Sequence, residues 1–170
     1  MLATILPLIL ATASPSTADS AALDAQVAEI FRPYTQDMDD TAAWDRPLFS
    51  AEVTALIAHW EKVQPDDEPD ALNDGDWFCQ CQDWDEKKFK VTPRGRAVLP
   101  GGTAEVSVKI DLGFDDIHDV RDARLIFRKQ GAAWKLDDLF APQAFPKGLK
   151  QALRDTIVED EKLAAAANAK

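Results

Sequence analysis

The sequence predicts an α+β domain: two N-terminal helices packed on a curved antiparallel sheet of three to four strands, closed by a C-terminal helix. Three observations lead there. Apolar residues recur at helical spacing in two segments of the first third of the chain. Beyond Lys87 the period changes to alternation, clearest from Ala104 to Phe114. Turn signals, Pro100-Gly101-Gly102 and Gln130-Gly131, then join apolar runs with no helix between them, which makes neighbouring strands antiparallel.

Each element has its own signature. Leu23, Val27, Ile30 and Phe31 share one face of a helix over Asp19 to Arg32, and Pro33 ends it. Ser50 suits an N-cap and Glu52 the positive start of a second helix. Val53, Leu56, Ile57 and Trp60 form its stripe, which ends near Val63. Phe89 and Val91 begin the sheet; Pro93 and Gly95 interrupt it before a short run from Ala97 to Leu99. From Thr103 to Phe114 the residues Val106, Val108, Ile110 and Leu112 face inward, and Glu105, Ser107 and Lys109 face outward. Leu125-Ile126-Phe127 and Trp134-Lys135-Leu136 are the last strands. Phe145 to Leu163 is the closing helix, with Pro146 in its first turn. Residues 164–170 are expected to fray.

The chain has 170 residues, 46% hydrophobic and 29% charged, which is one folded domain's worth. Its formal net charge of −11, with no Lys/Arg-rich patch, argues against nucleic acid and against anionic membrane surfaces. A cationic protein partner fits that charge. Residues 1–13 carry no charged side chain and are mostly Leu, Ile and Ala. The run is too short to span a bilayer, which takes about 20 apolar residues. Ser16-Thr17-Ala18 fits a small-x-Ala cleavage site, so residues 1–18 read as a secretory signal although Lys and Arg are missing from its start. The alternative is an apolar first helix. On the first reading the mature domain spans 19–163, has no transmembrane segment and is periplasmic or secreted.

Between Lys62 and Lys87 there is no Lys or Arg, while Asp66, Asp67, Glu68, Asp70, Asp74, Asp76, Asp83, Asp85 and Glu86 accumulate. Within this region stands DWFCQCQDWDE, residues 76–86, with two tryptophans, a phenylalanine and both cysteines. On a strand, Cys79 and Cys81 would lie with Cα atoms roughly 6.5 Å apart, at the upper edge of disulfide reach. A bridge there needs a kinked backbone. Two buried thiols, or soft-metal and redox chemistry, are the alternatives; further metal ligands are scarce, with only His59 and His118 in the chain. A calcium loop centred on Gly75 fails, because Leu72 and Cys81 stand where ligands are required. No metal and no cofactor is expected.

Paired N-terminal helices followed by antiparallel strands resemble the cone-shaped, cystatin-like fold of nuclear transport factor 2-like proteins. Leu48-Phe49-Ser50 before an amphipathic helix, Gln82-Asp83-Trp84 after an acidic turn, and Trp134-Lys135-Leu136-Asp137-Asp138-Leu139 after Leu125–Lys129 are similar to a secreted bacterial family of unknown function with that fold. The resemblance implies a fold and an envelope location, and supplies no catalytic residues.

Enzymes of that fold use the concave sheet face. Asp83, flanked by Trp77 and Trp84, and His59, beside Trp60, are the candidates for a general base and its partner. The bland roles are a turn-stabilising carboxylate and a helix-edge imidazole. No nucleophile-elbow, P-loop or zinc-protease motif is present. Trp44, Trp77 and Trp84 sit among acids, either as a binding surface together with Asp83 or as anchors pinning loops to the domain. The sequence therefore points to a non-enzymatic envelope binding domain that recognises a protein, of which an inhibitor or immunity protein is one version. A small-molecule carrier, or a lyase, isomerase or hydrolase built on Asp83 and His59, is the alternative. A filled interior favours the first.

Overall fold

The computed structural model describes residues 17–36, 41–65, 72–115 and 119–168. Most of the expected signal segment, the acids at 37, 39, 40, 66–68 and 70, and His118 lie outside the described residues. Within them the order is helix α1 (Thr17–Phe31), helix α2 (Ala51–Val63), strands β1 (Lys90–Leu99), β2 (Thr103–Asp111), β3 (Val120–Gln130) and β4 (Ala133–Phe140), and helix α3 (Leu149–Asn168). The four strands form one antiparallel meander in chain order, as an α+β domain of the expected kind.

The helices follow their stripes. Leu23, Val27, Ile30 and Phe31 of α1 are buried, as are Val53, Ile57 and Trp60 of α2. Ser50 caps α2 by accepting from the Val53 amide at 3.4 Å. The last carbonyls of α1 find a partner that spacing does not reveal: Arg46 donates to the Ile30 oxygen at 2.8 Å and to the Glu29 oxygen at 2.6 Å. A cation at a helix C-terminus satisfies orphan acceptors and complements the dipole.

The strands depart from expectation in instructive ways. β1 is one strand, not two runs, because the register shifts between Pro93 and Gly95 and leaves Arg94 as an extra residue. An edge strand accommodates Pro and a bulge where a central strand would not. β2 ends at Asp111, so Phe114 lies outside it. Gly113 adopts φ 84° there, and a Cβ on it would come within 2.8 Å of the Lys88 backbone. β3 is much longer than Leu125–Phe127 because its polar residues face out while small Ala123 holds the inner phase. β4 continues to Phe140 through a second register shift, opposite Ile126/Phe127, that lets Leu136 and Leu139 both point inward across Asp137 and Asp138. Residues 48–50 lie along β4, with the Ser50 amide bonded to the Leu136 oxygen at 2.8 Å and the Leu136 amide to the Leu48 oxygen at 2.9 Å.

α3 begins at Leu149 rather than Phe145, and it runs to Asn168. Phe145 is instead held in a bridge to Ala141. Asp138 supplies the start of α3 from a distance by accepting from the Lys150 amide at 3.1 Å. Gly148 makes room for it, since a Cβ there would meet the Asp138 carboxylate at 2.9 Å. All three helices contact β4, and α2 packs on α3. The interior between helices and sheet is filled: Trp60, Trp77, Trp134, Phe78 and Phe127 are fully buried in it. Among the described residues no helix is long and apolar enough to cross a membrane.

Candidate functional site

The loop between residues 72 and 89 is organised by Asp76. Its Oδ1 accepts from the Phe78 amide at 2.8 Å, from the Cys79 amide at 2.9 Å and from the Tyr34 hydroxyl. The backbone closes on itself around this carboxylate, with the Asp76 amide on the Cys81 oxygen at 3.1 Å and the Gln80 amide on the Asp76 oxygen at 3.0 Å. Burial pushes the Tyr34 phenol well above its ordinary range, and the neighbouring Asp76 charge adds to the shift, so Tyr34 stays a neutral donor.

Cys79 and Cys81 form a disulfide with Cα atoms 5.2 Å apart. An extended strand would hold them farther apart; the chain shortens because Gln80 sits at φ 55°, the one non-glycine residue at positive φ among those described. The rings on either side point inward. Trp77 packs against Trp44 at 5.5 Å, Trp60 at 6.0 Å, Phe49 at 6.0 Å and Phe145 at 6.1 Å, and its indole N–H donates to the Leu72 oxygen at 2.6 Å. Trp84 lies edge-on to Tyr34 at 5.2 Å and donates to the Tyr34 oxygen at 3.2 Å.

The candidate residues thus separate. Trp77 is 1% exposed and belongs to the core. Trp44 and Trp84 are half-buried anchors on that core. Asp83 and His59 do not form a dyad. Asp83 is exposed and accepts from the adjacent Trp84 amide at 2.8 Å, while exposed His59 pairs with Glu161 of α3 at 3.1 Å. Among the described residues no group of His, Cys, Asp and Glu is placed to hold a metal ion.

What the loop does build is a niche of about 420 Å³ on its outer side, walled by Asp74, Asp76, Trp77, Gln80, Arg121 and Phe145. Gln80 is 8% exposed, and neither its Oε1 nor its Nε2 has a partner among the described residues. Arg121 is clamped by Asp119, with Nε to Oδ1 at 3.0 Å and a second nitrogen to Oδ2 at 2.7 Å. That hydrogen bonding holds the Asp119 carboxyl below its usual range. Spacing gives no hint of Gln80 or Arg121, since both sites depend on a kink and on a distant strand.

A second polar centre lies at the β4 bulge. Asp137 takes Lys150 at 3.1 Å and Arg128 at 3.2 Å, beside buried Ser50. Burial pushes its carboxyl up, but the hydrogen bonds from Ser50, Arg128 and Lys150 outweigh that and hold it below the usual range. It ties α2, α3 and the sheet together and faces no cavity described. On the outer sheet face, an open groove of about 550 Å³ runs past Arg94, Ser107, Asp122, Arg124, Phe140 and Pro142. The Arg124 guanidinium lies 4.2 Å from the Phe140 ring centre.

No family model and no curated protein matches the chain. Among solved structures it is similar to a chain of the type VI native effector-immunity complex Tae3-Tai3 from Ralstonia pickettii, with 21% identity and a TM-score of 0.44, over 70% of this chain and 93% of that one. Sequence and superposition are both too distant for a role to pass from that complex to this chain.

Proposed function

We propose that this chain is a non-catalytic binding domain of the cell envelope that recognises a protein partner with its surface. The observation that carries the reading is the filled interior. Five large aromatic side chains occupy the space between helices and sheet where a carrier of this shape would hold its ligand. The residues best suited to acid–base work, Asp83 and His59, are instead exposed and engaged elsewhere. The formal charge of −11 favours a cationic partner and fast, salt-sensitive association.

Export completes the reading. Residues 1–18 act as a cleaved signal, and the Cys79–Cys81 disulfide suits an oxidising compartment. Cleavage after Ala18 removes only the first two residues of α1 and spares its apolar face, which begins at Leu23.

Native mass spectrometry of the mature domain, mixed with envelope extract at low and high salt, tests this. The expected result is a stoichiometric complex with a basic polypeptide that dissociates as salt rises. A retained small molecule with no polypeptide, or turnover that depends on Asp83 and His59, overturns it.

A further inference from the structure

We infer that the niche beside the disulfide loop is the docking site for an extended segment of the partner that carries a basic side chain. This rests on the reading above that the protein binds a protein. Gln80 bears two separate costs. Its backbone occupies the left-handed region at φ 55°, which disfavours residues with a Cβ, and its buried carboxamide is unpaired at both Oε1 and Nε2. The loop needs that φ to bring Cys79 and Cys81 within bonding distance, but it needs neither the Cβ nor the carboxamide that Gln80 puts there. The contact that closes the turn is made by the Gln80 backbone amide, and a glycine would make it equally well. Costs that a fold does not need are what a binding position keeps.

The chemistry of the side chain selects the occupant. A carboxamide presents a donor and an acceptor side by side in one plane. In an extended chain, the N–H and C=O of one residue point the same way, which is how paired strands exchange two hydrogen bonds. The carboxamide is covered in the free protein; turned out toward the niche when the partner docks, it can stand in for a strand residue and read the partner's main chain. Exposed Asp74 lines the same niche and attracts a cation, while the positive charge of Arg121 is already compensated by Asp119. The Trp77 and Phe145 walls suit the aliphatic stem of a Lys or Arg.

The test uses the isotopically labelled domain and two probes: the blocked dipeptide N-acetyl-Ala-Lys-N-methylamide and its Asp counterpart. The Gln80 side-chain NH₂ signals and the backbone amides of Gly75 and Gln82 should shift saturably with the Lys probe. The Asp probe should bind about tenfold more weakly. Gln80→Gly should abolish saturation at Gly75 and Gln82 while leaving Tm equal or higher. The inference is overturned if the Lys probe gives no saturable shift, if both probes bind alike, or if Gln80→Gly binds unchanged or unfolds at lower temperature. Should the probes fail while Gln80→Gly still captures the basic polypeptide as wild type does, the niche is wrong and the binding function stands. Should nothing be captured by either protein, the binding function falls as well.

Discussion

Trp77 touches four other rings, and its indole N–H donates to a carbonyl in the same loop, so truncating it removes packing and a buried hydrogen bond. Trp77→Ala should cost about 3–5 kcal/mol, the range for large core truncations. Trp84→Ala should cost less, about 2 kcal/mol, because that ring is only half-buried. Urea unfolding of both variants checks the order; equal losses would mean that the loop is held otherwise. Tyr34 permits a second measurement, since it is the one tyrosine of the chain. Its phenolate absorbance should appear well above the usual midpoint of about 10, and Asp76→Asn should lower that midpoint by removing a neighbouring negative charge. A midpoint at the ordinary value in the folded protein would mean that Tyr34 is not buried against Asp76. At this scale the sequence is only partly legible. The inward rings of DWFCQCQDWDE follow from hydrophobicity, whereas the Cys pair is one of several readings of its spacing, because the kink at Gln80 that closes it has no signature in the sequence. The roles of Asp76 and Gln80 do not, because a carboxylate at the centre of a turn looks like any other acid in an acidic run.

The elements were legible wherever periodicity was long. α1, α2 and β2 carry unbroken stripes, and the burial of Val106, Val108, Ile110 and Leu112 follows from alternation alone. Errors gather where phase is shifted: at the Pro93/Gly95 bulge, at Asp137 in β4, and at the start of α3, where the cap comes from Asp138 across the fold. A bulge adds one residue and resets inside and outside, which a fixed period cannot follow. Asp137 also contributes to the acid stability. Its folded carboxyl is held below the ordinary value, so the stabilisation is present above the unfolded pKa of about 3.9 and is lost as pH falls through the lower folded value. Wild type should lose stability below about pH 4, and Asp137→Asn should be less stable at pH 7 with a shallower acid limb. Parallel acid limbs in thermal melts would show that this carboxylate is not the group responsible.

As a whole, the molecule is a meander sheet with its helices gathered on β4 and a core closed by aromatic rings. That arrangement was readable from the order of periodic segments. Whether the interior would be open was not, because ring positions depend on how the acidic loop folds back beneath Phe49 and Phe145. On the binding reading proposed above, a filled core leaves the surface to recognise the partner, and the Gln80 niche with Asp74 is the place proposed for it. Hydrogen–deuterium exchange of the domain, alone and in complex with its basic polypeptide, tests this most directly. New protection is expected in residues 74–82 and around Arg121, with exchange in β2 and α2 unchanged. Protection spread through the core, or none in residues 74–82, would contradict it.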